Sequence, residues 1–380
     1  MENRKLRGGM VGGGIGSFIG PVHRMSAIMD GQAEYVCGAF SSNPSKSKKS
    51  GEALYLEPSQ VYGDYKEMIK KESALPPNKK IDFVSIVTPN VFHFDVAKVF
   101  LEAGFNVICD KPMTMTLVEA KKLKSIVEKS GKVFALTHTY TGYPMVKQAR
   151  YMVRQGLLGK INKVVVEYPQ GWLANRLEGK SSGLSIWRMD PQMAGASGCI
   201  GDIGTHAENL VRYITGLEVE KLCADLTHFI PGNRLEDDGS ILVNYKGGVK
   251  GTISASQIST GEENGLNMRI YGTKLGLYWN QENPNYLVIK SPEGYTTTYS
   301  KGNPVLCQEA QNASRLPFGH PEGFIEAMAN IYLEAFKAIR AGSTSGFDYP
   351  TVDDGVIGMA FIETVLASTE SEKKWIRMLK

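Results

Sequence analysis

Met10-Val11-Gly12-Gly13-Gly14-Ile15-Gly16-Ser17-Phe18-Ile19-Gly20 runs from two apolar residues into a glycine-rich turn, and an apolar-periodic segment, Val22 to Met29, comes next. The order reads strand, tight turn, helix. Gly12, Gly14 and Ser17 stand in a G-x-G-x-x-S spacing. Glycines in such a turn let the backbone approach a pyrophosphate closely, and the helix start offers N–H donors to the anion. Gly12, Gly14 and Ile15 are therefore candidate cofactor contacts. A glycine turn alone is a weak signal, and its weight comes from the pattern of the next hundred residues.

That pattern is an alternation of strands and helices. Tyr35 to Phe40 reads as a strand, Ser45 to Ala53 and Tyr65 to Lys71 as helices, and Ile81 to Val87 as a buried strand. Phe92 to Ala103 is then helical, Phe105 to Cys109 a strand, Leu117 to Lys129 a helix and Val133 to Leu136 a strand. Such a chain makes a doubly wound parallel sheet, whose ligands lie beyond the carboxyl ends of the strands.

Each strand end therefore matters. After the second come Ser41, Ser42 and Lys46, with no Asp or Glu for a ribose 2′-hydroxyl. These side chains suit a hydroxyl or a 2′-phosphate, so NAD and NADP both stay open; Lys46 reads equally well as a solvated lysine. After the third come Thr88, Asn90 and His93, candidate cofactor contacts, though His93 equally suits the first turn of the next helix. The run Val107-Ile108-Cys109-Asp110-Lys111-Pro112 ends another strand, because Pro112 has no N–H for the ladder. It delivers Asp110 and Lys111, further candidate cofactor contacts, to the same edge of the sheet.

Composition narrows the class. At 380 residues, with 42% hydrophobic and 22% charged, the chain has the make-up of a globular protein with two cores. A net charge of +4 gives no footing for nucleic acid or a membrane surface. Five cysteines without CxxC spacing argue against a disulfide framework or a zinc knuckle. Glycines come after Arg4, Lys5 and Arg7 where a signal peptide needs an apolar core, and no apolar run approaches the roughly 20 residues of a bilayer span. A cytoplasmic location is expected.

Beyond Thr137-His138 the pattern changes. Lys163 to Tyr168, Lys221 to Phe229, Ile241 to Asn244, Val249 to Gln257, Asn267 to Tyr271, Gly276 to Trp279 and Tyr286 to Ile289 read as short strands joined by turns. The expected organisation is a dinucleotide-binding α/β domain over 1–138 and an α+β domain over 139–380 with a large, mainly antiparallel sheet. One sheet face is expected to bury against a copy of the chain, giving a homo-oligomer, dimer or tetramer. Pro321 to Ala341 and Val352 to Ser368 read as structural helices.

Within the second domain, Gly201-Asp202-Ile203-Gly204-Thr205-His206 opens a helix. At about 3.6 residues per turn, Ile203, Ala207, Leu210, Val211 and Ile214 share an apolar stripe, with Asp202, His206, Asn209 and Tyr213 on a polar one beside it. Asp202 and His206 are neighbours, and the carboxylate favours and orients a charged imidazole, as a proton relay needs. The same pattern fits an N-cap beside a surface histidine. No second ligand lies at metal spacing, so no metal is expected.

A nucleotide turn, a strand ending Asp110-Lys111-Pro112, and Asp202 four residues before His206 together resemble the Gfo/Idh/MocA family of oxidoreductases, over essentially the whole chain. An Asp stands before the lysine where that family usually has Glu, and Phe18-Ile19-Gly20 lengthens the turn. The resemblance implies that Lys111, Asp202 and His206 carry the chemistry at a nicotinamide. It implies a sugar, inositol or related polyol as substrate, and in a minority of members a glycosidase that uses NAD without consuming it.

Hydride loss from a carbinol requires its oxygen to lose a proton. His206 is the candidate base, Asp202 its orienter and Lys111 the group that stabilises the developing oxyanion. Substrate-facing candidates are Tyr140, Tyr143, Trp172, Arg176, Lys180, Trp187, Arg188, His206 and His320. Arg176, Lys180 and Arg188 suggest an anionic substituent, such as a carboxylate or sulfonate. The leading expectation is an NAD(P)-dependent dehydrogenase of a secondary hydroxyl. The alternative is a redox-neutral glycosidase, with Tyr140 or Tyr143 as its extra base, and a non-catalytic redox sensor ranks third.

Overall fold

The computed structural model describes residues 4–178 and 186–380. The chain divides into two compact units, one running to Thr139 and taking in Met328–Val356, the other holding Tyr140–Ala327 and Ile357–Lys380.

The first unit is built on five parallel strands in the order β2-β1-β3-β4-β5. They are β1 (Leu6–Gly12), β2 (Ala33–Ala39), β3 (Phe83–Val87), β4 (Asn106–Cys109) and β5 (Phe134–Leu136). All five residues of β3 are buried, as expected for a strand covered on both faces. Helices α1 (Ile19–Ile28), α2 (Pro44–Ala53), α3 (Tyr65–Ala74), α4 (His93–Glu102) and α5 (Leu117–Ser130) connect them. Side chains fix three helix starts: Asn43 caps α2, Asp64 caps α3 and Thr116 caps α5.

The second unit contains α6 (Pro144–Arg154), β6 (Ile161–Pro169), a short α7 (Pro191–Ala194), α8 (Thr205–Thr215) and β7 (Val219–Thr227). Next come β8 (Asp238–Tyr245), β9 (Lys250–Ser256), β10 (Asn267–Gly272), β11 (Gly276–Asn280), β12 (Tyr286–Lys290), β13 (Thr296–Ser300) and α9 (Gln308–Asn312); α10 (Phe324–Ala341) falls mostly in the first unit, and α11 (Val352–Glu370), which starts there, leads to β14 (Trp375–Arg377) of the second. Nine strands pair in the order β13-β12-β11-β10-β6-β9-β8-β7-β14, antiparallel except for β6 against β9. One face carries Val164, Val166, Ile241, Val243, Ile253, Met268, Ile270, Leu277, Trp279 and Leu287, all buried, with α6 and α8 packed on that sheet.

The expected boundary left all of 139–380 in the second domain. The structure instead returns Met328–Val356 to the first unit, where the rings of Tyr332 and Phe336 pack on Phe83. Strands β13 and β14 were also not expected. Both are sheet edges: β13 is the polar Thr-Thr-Thr-Tyr-Ser, and β14 lies three residues long near the end of the chain.

Candidate active site

The glycine turn is shaped by close approach. Gly12 has φ of 80°, and a Cβ there would stand 2.4 Å from the Val87 carbonyl oxygen. A Cβ on Gly14 would meet the Phe40 carbonyl at 2.8 Å and Ser50 Oγ at 2.6 Å. The third small position is not Ser17, as the spacing suggested, but Gly20, whose added Cβ would lie 2.3 Å from the Gly13 carbonyl. The three-residue lengthening at Phe18-Ile19-Gly20 moves that contact along the chain. Ser17 instead accepts a hydrogen bond from the Gly20 N–H at 3.1 Å, and α1 begins at Ile19 rather than near Val22.

Two side chains brace this turn and were not foreseen. Arg24 donates to the Gly13 carbonyl at 2.7 Å, and Ser50 Oγ accepts from the Ile15 N–H at 3.1 Å while donating to the Lys46 carbonyl at 2.7 Å. Ile15 itself is 50% exposed on the turn.

At the end of β2, Ser41 Oγ accepts from the Asn43 N–H at 3.2 Å, and Ser42 and Lys46 are exposed. After β3, Thr88 Oγ1 is buried with no hydrogen-bond partner among the described residues, and Asn90 is buried close by in sequence. Buried hydroxyls are rarely left unpaired, so Thr88 Oγ1 beside the glycine cradle fits a bound dinucleotide.

His93 requires a correction. Its Nδ1 lies 2.7 Å from the Pro112 carbonyl and its Nε2 3.0 Å from the Thr88 carbonyl. The ring is buried at the start of α4, its nitrogens turned to the main chain just beyond β3 and β4. It clamps these two strand ends and is not a cofactor contact. Burial lowers its pKa, with the Pro112 carbonyl, Asp110 and the Thr88 carbonyl opposing.

Asp110 Oδ1 accepts from the Lys111 N–H at 2.9 Å and from the Thr137 hydroxyl at 3.0 Å, with His23 Nε2 4.0 Å away. Burial pushes its carboxyl up, but the neighbouring His23 imidazole first, and then Lys111 and His93, outweigh it and hold the group below the usual carboxylate range. The peptide bond from Lys111 to Pro112 is cis.

In the second unit, Asp202 and His206 do not lie on one regular α-helix. Ile200–Gly204 is a π-helical turn, and α8 begins at Thr205. Glu236 shapes the turn, accepting from Ser197 Oγ at 2.5 Å and from the Ile200 N–H at 3.1 Å. Gly198 is needed there, because a Cβ would lie 2.2 Å from the Glu236 carbonyl. Single π turns inside helices recur at functional sites. The expected apolar stripe is present, with Ile203, Ala207, Leu210, Val211 and Ile214 all buried.

Around His206 the structure assembles groups that lie scattered in the sequence. The Tyr140 ring stands edge-on to the imidazole at 4.8 Å between centroids, and the Tyr168 ring lies at 6.4 Å. Asn264 Nδ2 donates to the Tyr140 hydroxyl at 3.4 Å, Tyr140 and Tyr168 share a short hydrogen bond, and Tyr168 donates to Asn264 Oδ1 at 2.7 Å. Gln170 donates to the same Oδ1 at 2.8 Å, and Gln257 donates to Asp202 Oδ2 at 2.8 Å. Tyr168 and Gln170 at β6, Gln257 after β9 and Asn264 before β10 were missed because only sheet register reveals their proximity.

The other substrate candidates disperse. Tyr143 is a correction: it is 2% exposed and packs on Trp279 at 5.4 Å, so it belongs to the core. Trp172 and Arg176 are half-buried, Arg176 on the turn Ala174–Glu178. Arg188 stacks its guanidinium over Trp187 at 4.6 Å. Lys180 lies outside the described residues. His320 is exposed, with Nδ1 3.4 Å from the Phe318 carbonyl, and takes no part in the hydrogen-bonded cluster around His206.

A glycine cradle at the start of a parallel sheet, with an unpaired hydroxyl at a neighbouring strand end, defines the first unit as a dinucleotide-binding domain. Residues 6–138 match the oxidoreductase family with an NAD-binding Rossmann fold, and residues 146–278 match the GFO/IDH/MocA C-terminal domain. The chain belongs to the Gfo/Idh/MocA family of oxidoreductases, and its first unit is an NAD-binding Rossmann domain. It is 34% identical to the uncharacterized oxidoreductase YfiI of Bacillus subtilis, over 98% of this chain and 97% of that one. It is 26% identical to levoglucosan dehydrogenase of Pseudarthrobacter phenanthrenivorans, over 78% and 80% of the two chains. The crystal structure of an inositol dehydrogenase homolog from Azotobacter vinelandii complexed with NAD+ has a TM-score of 0.93 at 32% identity, covering 98% of this chain and 97% of the other. Among the described residues no helix is long and apolar enough to cross a membrane.

Proposed function

We propose that this protein is an NAD-dependent dehydrogenase that oxidises a secondary hydroxyl of a sugar, inositol or glycoside, with Lys111, Asp202 and His206 as its catalytic residues. The observation that carries the reading is the setting of His206: a nearly buried imidazole at the end of a π turn, edge-on to Tyr140, one turn after a carboxylate held by Gln257. His206 takes the hydroxyl proton, Asp202 stabilises the imidazolium and Lys111 stabilises the developing alkoxide. NAD, when bound, supplies the hydride acceptor. Similarity to a levoglucosan dehydrogenase and an inositol dehydrogenase homolog supports a polyhydroxylated substrate.

Gly12, Gly14, Ile15, Thr88 and Asn90 are proposed to line the cofactor, with Ser41, Ser42 and Lys46 near its adenosine ribose. Tyr140, Trp172, Arg176 and Arg188 remain candidates for the substrate. The glycosidase alternative needs a tyrosine to act as a base. Burial raises the pKa of both Tyr140 and Tyr143, and Tyr140 already lies in the hydrogen-bonded ring with Tyr168 and Asn264, so this chemistry favours the dehydrogenase. A second copy of the chain is proposed to cover the outer face of the large sheet, where Leu242 is 51% exposed.

The test is incubation with NAD and a panel of inositols, free sugars and glycosides, read at the reduced-nicotinamide absorbance band. Net accumulation of NADH supports the dehydrogenase. Sugar release without net NADH supports the glycosidase.

A further inference from the structure

Four polar side chains deep in the first unit have no part in the hydride-transfer chemistry. His23, Ser85 and Tyr332 are fully buried, and Tyr35 is largely so. They come from α1, β3, α10 and β2. The Tyr35 hydroxyl lies 2.7 Å from Ser85 Oγ, Ser85 Oγ lies 2.8 Å from the Tyr332 hydroxyl, and the Tyr332 hydroxyl lies 2.7 Å from His23 Nδ1. His23 Nε2 then stands 4.0 Å from Asp110 Oδ1, the oxygen that accepts the Lys111 N–H.

The chain has a direction. Asp110 is held ionised, so the imidazole is best oriented with its Nε2–H toward the carboxylate. Nδ1 is then an acceptor, and Tyr332 must donate to it. The Tyr332 oxygen in turn accepts from Ser85, and Ser85 accepts from Tyr35. Burial pushes the Tyr35 phenol up to about 12 and the Tyr332 phenol further, so both stay protonated donors. Each dipole in such a series polarises the next toward Asp110. The other groups that face Asp110 are Thr137, Lys111 and His93.

We propose that His23 and Tyr332 are positioning residues for Lys111: the hydrogen-bond chain from Tyr35 fixes the imidazole toward Asp110, and Asp110 holds the Lys111 main chain in its working position. The proposal rests on the catalytic reading of Lys111. It assigns a role to helix α10, whose sequence suggested only structure.

The experiment uses the full-length protein with NAD and compares His23→Leu, His23→Gln and Tyr332→Phe with wild type. The amide of the Gln variant places an N–H where Nε2–H stands. His23→Leu and Tyr332→Phe are expected to lower kcat about tenfold while substrate KM and NAD Kd stay within about twofold, and His23→Gln is expected to recover most of the loss. Amide hydrogen exchange in the peptide spanning Lys111 should quicken in His23→Leu but not in His23→Gln. Unchanged kcat and exchange in both His23→Leu and Tyr332→Phe would overturn the proposal. So would a kcat loss in His23→Gln equal to that in His23→Leu, or a loss of NAD affinity in step with kcat, since either marks a merely structural role. If the wild type reduces no NAD with any polyol, the functional reading fails alone, and the exchange comparison still decides whether His23 positions Lys111.

Discussion

Gln257 donates its side-chain N–H to Asp202 Oδ2 at 2.8 Å, across 55 positions of sequence. The bond fixes the rotamer of the carboxylate from the far end of β9, so Asp202 is presented by the sheet as well as by its own π turn. Replacing Gln257 by Leu is expected to lower kcat about tenfold with a smaller change in KM. Gln257→Glu, which sets a like charge against Asp202, should lower it further. Steady-state kinetics of the two variants check the order.

The glycine cradle predicts a loss of binding rather than of chemistry. Gly12→Ala would place its Cβ 2.4 Å from the Val87 carbonyl at a φ of 80°. NAD affinity is expected to fall at least about tenfold, with a destabilisation of about 1–3 kcal/mol from backbone strain. Fluorescence titration of NAD and urea unfolding measure the two effects separately.

Asp110 gives a pH signature in stability. Its folded-state pKa is held below the ordinary value of 3.8, so its contribution is fully present above that value and is lost as pH falls through the folded value. Asp110→Asn removes the contribution. The stability gap between wild type and this variant should therefore be constant from neutral pH down to about 5 and close steadily in more acid solution. Urea unfolding at a series of pH values checks the sign.

The outer face of the large sheet predicts assembly. Leu242 lies opposite Thr252 of β9 and Cys223 of β7, on a row that continues through Val165 to Arg269 and Tyr278. Leu242→Glu places a charge in that row and is expected to shift the protein toward monomer without loss of fold. Light scattering after size exclusion measures the mass.

Much of this is legible in the sequence. Period-two and helical patterning located the parallel sheet, because buried strands such as Phe83–Val87 announce themselves by apolar runs. The glycine turn was legible in kind but not in register: only the contact of Gly20 with Gly13 reveals which residue is the third small one. Asp202 and His206 stood out by spacing, yet the π turn between them did not, since it depends on Glu236, more than thirty residues later. The Tyr140, Tyr168 and Asn264 ring was invisible for the same reason. Its members are ordinary residues whose meaning comes from tertiary register. His93 misled because a histidine at a strand end looks functional until both nitrogens are seen against backbone carbonyls.

The central claim is that Lys111 and His206 serve one hydride-transfer reaction on a polyol. The most direct test tracks reduced-nicotinamide absorbance for wild type, Lys111→Ala and His206→Ala with NAD and the best substrate of the panel, with NAD binding measured in parallel. The account predicts net NADH formation by the wild type, a fall in kcat of at least about a hundredfold in each variant, and NAD affinity within about threefold of wild type. Turnover retained by Lys111→Ala, or sugar release by the wild type without net NADH, would contradict it.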